Sequence, residues 1–317
     1  MGQDELPYAG LAIHFAFCIC RSEGVDMTTS GPGPTTIRRR IRLLLRQLRV
    51  DRGQSQEDVC RVMDWSQSKM ARIERGTTNV GVRDLRDLLE FYGVDDVDEV
   101  ARLLNLARLA RRPHWAGTYR DSVPAPYMDF IGYEDDALRI SQYHPFVIPG
   151  LLQTEQYARL LQAVGPRRRD GDEVAEARVR LRLDRQRRVF AQPLPGRVRI
   201  VLDERALTVV ESEQVMLDQI ELILSRLPNI DLVLLRRDTA SDSVLVGPFS
   251  MHEFGSEADP DVVYLDSQPE DVALVEDPEV VAGYKHAFDD LYGQAASGDD
   301  VRRVLDAIAT SLRRTSS

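Results

Sequence analysis

Between residues 36 and 107 apolar side chains recur three or four apart in five short runs, the spacing of helices with one buried face. Ile37, Ile41, Leu44, Leu45 and Leu48 make the first stripe, on residues 36 to 52. Val59 and Met63 make the second, and Met70 and Ile73 the third. Val82, Leu85, Leu88, Leu89 and Tyr92 form the fourth; Val97, Val100, Leu103, Leu104 and Ala107 form the fifth. The punctuation agrees with five helices. Ser55 and Ser66 stand where N-caps belong, and Gly76 and Gly93 where helices stop. Residues 36 to 110 are therefore expected to form an all-α domain of about 75 residues, near the lower edge at which one core folds unaided.

The pattern changes after residue 110. RRPHWAGTYRDSV (111 to 123) reads as a linker that Trp115 and Tyr119 dock onto the second domain. ISQYHPFVIPGLLQTEQYARLLQAV reads as helical, with a Pro149–Gly150 turn before a helix carrying Leu151, Leu152, Tyr157, Leu160 and Leu161. A strongly charged helix spans about 172 to 190, another 212 to 227, and two close the chain at 278 to 295 and 299 to 313. Short apolar runs at 198–203, 230–235, 247–254, 262–266 and 272–276 read as strands. This order predicts an α+β domain over 124 to 317 with a small, largely antiparallel sheet. Residues 1 to 35 fit poorly with the rest. They read as a disordered or wrongly joined extension, with TTSGPGPTT (28 to 36) as a linker and Met27 as an alternative start.

The stretch from Gln54 to Gly76, QSQEDVCRVMDWSQSKMARIERG, has the layout of a helix-turn-helix. Steps of 100° along its second helix gather Gln67, Ser68, Ala71, Arg72 and Arg75 into one arc, opposite Met70 and Ile73. Gln can pair bidentately with adenine and Arg with guanine in the major groove, and a small methyl leaves room for a base edge. An ordinary helical hairpin with a solvated polar face is the plainer alternative.

Charge favours the DNA reading. The whole chain carries −10, yet residues 36 to 75 carry +6 and the remainder −16. Arg38, Arg39, Arg40, Arg42, Arg46 and Arg49 are expected on the polar face of the first helix, part of an electrostatic footprint for a polyanion. No apolar run approaches the length of a membrane span. Cys18, Cys20 and Cys60 have neither a disulfide pattern nor Cys/His spacing for zinc, which suits a reducing cytoplasm.

SQSKMARIERG resembles the recognition-helix motif of the XRE, or lambda-repressor-like, family of DNA-binding regulators. The resemblance implies a lambda-repressor-like fold and a partner in double-stranded DNA. It implies base reading by Gln67, Ser68 and Arg72, and backbone contacts from Gln56, Arg75, Thr77, Thr78 and Asn79. Lys69, at the edge of the arc, is assigned to a phosphate, and Glu74 to structure. Further on, YEDDALRISQYHPFVIPGLLQTEQYAR, RLRLDRQ, VRIVLDERAL, GPFSMHEF and VVYLD resemble the C-terminal domain of a large actinobacterial group of XRE regulators. That group is described as toxin–antitoxin-like or as of unassigned function. Its genes often neighbour one for a small acidic protein, which the resemblance offers as a partner.

Catalytic chemistry is thin. The histidines are scattered, Asp203–Glu204 and Glu253 sit near strand ends where a catalytic pair could stand but surface or structural carboxylates are the favoured reading, and no phosphate-binding loop or nucleophile elbow is present. The arginines at 178, 180, 182, 185 and 187 could meet an anionic ligand, though a solvated, salt-bridged face is the favoured reading. No enzyme, cofactor or metal is expected. Two functions stay open. One is a sequence-specific transcription factor, a homodimer whose second domain senses a ligand or partner. The other is an antitoxin-like component that neutralises a small protein and uses DNA binding only for autoregulation.

Overall fold

The computed structural model describes residues 31–164, 170–191, 194–208, 210, 212–237, 239, 241–256, 258–268 and 270–315. The expectations for residues 1 to 30, the alternative start and Cys18 and Cys20 included, lie outside the described residues. The chain forms two units, one running through His114 and including Ser256–Asp259, the other formed by Trp115–Gly255 and Pro260–Ser317.

The first unit contains α1 (Pro34–Asp51), α2 (Gln56–Met63), α3 (Gln67–Arg75), α4 (Val82–Phe91) and α5 (Val97–Leu109). Its core gathers Ile37, Ile41, Leu44, Leu45 and Leu48 with Val59, Met70, Leu85, Leu88, Leu89, Tyr92, Leu103 and Leu104. Three expectations change. Helix α1 begins before residue 36, since Pro34 needs no N–H partner in a first turn, and Thr35 and Thr36 are buried rather than part of a linker. Val97 is 79 % exposed: it directly follows the cap Asp96, and the inward face of α5 starts a turn later. The arginines of α1 are not one solvated face. Arg39 is buried, Arg38 donates to the Ala110 carbonyl and the Thr35 hydroxyl, and of the six only Arg46 is exposed.

The second unit contains α6 (Ala125–Asp136), β1 (Arg139–His144), α7 (Glu155–Val164), α8 (Asp172–Val189), β2 (Val198–Asp203), α9 (Glu213–Arg226) and β3 (Asp231–Leu235). There follow β4 (Phe249–Glu253), β5 (Val262–Gln268), β6 (Asp271–Val275), α10 (Pro278–Gln294) and α11 (Asp299–Thr315). The sheet is six-stranded and mixed, in the order β3-β2-β1-β4-β5-β6. β1 and β2 pair in parallel, as do β2 and β3, while β1–β4, β4–β5 and β5–β6 are antiparallel. The small, largely antiparallel sheet expected from sequence is met in part: three of its five pairings are antiparallel, but it has six strands and two parallel pairings. The cause is β1, whose residues read as helical by pattern: Ser141, Gln142 and His144 interrupt its apolar run, yet the strand lies at the centre. Once β1 is a strand, α7 with α8, and then α9, become the crossovers that parallel neighbours require.

Both faces of the sheet are covered. Ile140, Ile200, Leu202, Leu232 and Leu234 pack with Tyr157, Ile220 and Leu305 from α7, α9 and α11. Tyr143, Val201, Val233, Met251 and Val263 point the other way, against Val281, Phe288 and Leu291 of α10. Over β5 and β6, α6 brings Tyr127, Phe130 and Ile131 onto Val262, Tyr264 and Val272.

Candidate nucleic-acid interface

Helix α2 starts in a reciprocal capping box. The Ser55 hydroxyl accepts from the Asp58 N–H at 3.1 Å, and the Asp58 carboxylate accepts from the Ser55 N–H at 3.0 Å. These bonds from Ser55 hold the Asp58 carboxyl below its ordinary range. The helix ends at Asp64, whose φ of 53° turns the chain sharply, a left-handed conformation that short polar side chains tolerate. Ser66 then caps α3, its hydroxyl accepting from the Lys69 N–H at 3.2 Å. Gly76, at φ 80°, closes the helix with its N–H directed to the Arg72 and Ile73 carbonyls.

One buried carboxylate clips the motif together. Glu74, 7 % exposed, accepts from Arg49 Nε at 2.5 Å, from Arg49 Nη2 at 3.1 Å and from Gln56 Nε2 at 2.6 Å. Arg49 also donates to the Gln54 carbonyl at 2.7 Å. The bond to Glu74 raises the Arg49 pKa above its usual value. Helices α1, α2 and α3 therefore share one charged junction, while Met70 and Ile73 anchor the apolar side of α3.

The opposite side of α3 faces solvent. Gln67, Ser68, Arg72 and Arg75 are exposed, as are Thr77, Thr78 and Asn79 in the following loop. Arg75 Nε donates back to the Ala71 carbonyl at 3.1 Å, and the Thr77 hydroxyl to the Arg72 carbonyl at 3.2 Å. The structure thus brings seven of the nine residues singled out from sequence onto one exposed strip. Gln56 and Lys69 are different: both are half-buried and engaged. Gln56 spends one amide hydrogen on Glu74 and keeps the second. Lys69 Nζ lies 3.0 Å from Asp84 Oδ2 and 3.7 Å from the centre of the Trp65 ring. An amide, a hydroxyl and two guanidiniums on a capped helix match the donor and acceptor pattern of base edges and phosphates.

Residues 40–103 match a family described as a helix-turn-helix domain, a class of module that binds DNA. Residues 127–307 match the family described as a domain of unknown function, DUF5753. The chain belongs to the DUF5753 family. No curated protein and no solved structure matches it.

Within the DUF5753 region two of the three carboxylates weighed for catalysis, Asp203 and Glu253, are ion-paired, and Glu204 accepts from the Arg237 N–H at 3.3 Å. Asp203 is fully buried, caps the turn after β2 through the Arg205 N–H at 2.8 Å, and accepts from the Arg205 guanidinium at 2.8 and 2.5 Å. Glu253 accepts from Lys285 Nζ at 2.9 Å. Among the described residues no group of three His, Cys, Asp or Glu side chains could hold a metal ion, and no helix is long and apolar enough to cross a membrane.

The arginines of α8 overturn the solvated-face reading. Arg180 and Arg187 are exposed, but Arg178, Arg182 and Arg185 are buried. Arg185 pairs with Glu134 of α6 at 2.9 and 2.7 Å, and Arg182 with Glu270 in the β5–β6 turn. The buried carboxylates lie 51 and 88 positions from their arginines, so local charge spacing carried no sign of them.

Proposed function

We propose that this chain is a sequence-specific DNA-binding transcriptional regulator that lays α3 in the major groove. The exposed arc of Gln67, Ser68 and Arg72 on a helix fixed by Ser66, Gly76 and the Glu74 junction carries the reading. These three residues read bases. Arg75, Thr77, Thr78, Asn79 and the second amide hydrogen of Gln56 grip the backbone, and Lys69 joins them by exchanging Asp84 for a phosphate. The motif fits the XRE class, whose members read paired half-sites about one helical turn apart, so the working species is a homodimer. The DUF5753 region is the sensing and assembly domain and performs no catalysis, a role consistent with carboxylates committed to internal pairs.

The test is selection of genomic fragments by the purified full chain at modest ionic strength, against random competitor. Enrichment of fragments sharing a two-fold related sequence is expected. Retention of no fragment above competitor would end the proposal.

A further inference from the structure

A cavity of about 240 Å³ lies over the face of the sheet that carries Gln142 and His144, roofed by α6 and α8. It sits where the sheet changes direction. From β1 the chain lays β2 and β3 on one side and β4, β5 and β6 on the other. The cavity opens at the carboxyl end of β1, beside Pro145 to Ile148, the position at which open sheets with crossovers present ligand sites.

Its floor and roof hold polar atoms without partners. Gln142, 2 % exposed, donates through Nε2 to the Ser250 hydroxyl at 3.1 Å, but its Oε1 accepts nothing. Neither ring nitrogen of His144, 7 % exposed, has a hydrogen bond; the Asp266 carboxylate is 3.6 Å from Nε2. Arg182, 4 % exposed, donates from Nη1 to Gln153 Oε1 at 2.6 Å and from Nη2 to Glu270, while its Nε has no acceptor. Buried polar groups are normally satisfied, so one acceptor, one cationic N–H donor and one imidazole around a single cavity mark a place built for a ligand.

The charges say which kind. Each guanidinium at the cavity already has a carboxylate, Glu270 for Arg182 and Glu134 for Arg185. Burial, with Arg185 nearby, lowers the His144 pKa to about 4, so the ring is neutral, with one nitrogen donating and the other accepting. Burial also pushes the Asp266 carboxyl up to about 7 despite the Ser250 hydroxyl at 3.2 Å. An anion finds no uncompensated positive charge, and the carboxylates a cation would meet are either already paired, as Glu270 is, or held towards the neutral form, as Asp266 is. The apolar wall is aromatic: Tyr127 and Phe130 stack on each other, their centroids 5.4 Å apart with 12° between the rings, an arrangement that a third flat ring can extend.

We propose that this cavity binds a small, flat, uncharged molecule bearing adjacent N–H and C=O groups, an aromatic amide or lactam. The N–H is received by Gln142 Oε1, the C=O by Arg182 Nε or the donating nitrogen of His144, and the ring extends the Tyr127–Phe130 stack. This deepens the sensing role proposed above but is measured without DNA, so its failure leaves the reading of α3 standing.

Three probes of one shape and different charge test it: benzamide, benzoate and benzamidine. Each is added at millimolar concentration to the full chain and followed by saturation-transfer NMR. Benzamide should bind at least several-fold better than the two ions. Its binding should fall at least tenfold in Gln142→Leu, and in Val147→Trp, which crowds the half-exposed rim without touching the polar floor. Thermal unfolding of both variants checks that they are folded. No benzamide signal, equal or better binding of either ion, or benzamide binding unchanged in a folded Gln142→Leu would each overturn the proposal.

Discussion

At the scale of single residues, α3 separates into side chains that fix it and side chains it offers. Arg72→Ala removes an exposed guanidinium and no internal contact of its side chain, so it should cost about 1–3 kcal/mol of DNA affinity and relax preference at one base position. Gln56→Ala should weaken all sequences evenly. Binding titrations against a panel of single-base operator variants distinguish the two, and an Arg72→Ala profile parallel to wild type would remove Arg72 as a reader. Glu74→Ala belongs to the other class. It leaves Arg49 half-buried without its carboxylate, and should lower unfolding stability by about 3 kcal/mol. Urea unfolding measures this; a loss below about 1 kcal/mol would show that the junction is dispensable. Glu74 was legible as a structural residue from its place in the motif, but its link to Arg49, twenty-five positions earlier, was not.

At the scale of elements, the five helices of the first unit were readable because period, caps and stops agreed. Val59, Met70, Leu85, Leu88 and Leu89 are buried where the stripes put them. Gly76 does more than end α3: its φ of 80° is a region that side chains resist, and a methyl there would meet Arg42 Cδ and Nε at 3.2 Å. Gly76→Ala should therefore cost about 1–2 kcal/mol, read by thermal unfolding, with loss of DNA retention in proportion. A neutral outcome would mean that the loop after α3 relaxes freely. Strand β1 was illegible for the converse reason. Its side chains alternate correctly, but Gln142 and His144 stand at inward positions where a buried strand normally carries aliphatic residues, so RISQYH lacked an apolar signature. The residues that hid the strand are those that floor the cavity, and local pattern fails most readily where a core has been made polar for a purpose.

At the scale of the whole molecule, three titratable groups on one sheet face give stability a readable pH dependence. Asp266 faces His144 and Ser250, with Arg185, Arg182 and Glu270 around the same cavity. Its folded carboxyl keeps a proton to about pH 7, whereas the unfolded one releases it near 3.8. Its contribution to folding therefore declines as pH rises from about 4 to about 7. His144 and His252 work in the opposite sense. Both stay neutral in the fold down to about 4 and about 3 but take up protons near 6.5 when unfolded, so their contribution grows as pH rises towards 6.5. Replacing Asp266 with Asn removes the declining part alone. Urea unfolding of variant and wild type should then show the variant gaining on wild type between about pH 4 and 7, and no further gain above that. A difference independent of pH would show that Asp266 ionises normally in the fold.

The walls of the cavity come from Tyr127 and Phe130, from Arg182 and Arg185, and from Glu270 and Val272, three segments spread over residues 127 to 272. No short segment of the chain carries all of them, so the cavity exists only when the second unit is folded. Whatever settles there is consequently linked to cooperative unfolding of the entire carboxyl-terminal body, so a tight occupant raises its melting temperature and slows its proteolysis in step with concentration. Metabolite extracts screened by melting temperature alone can therefore find the natural occupant before a single operator sequence is known.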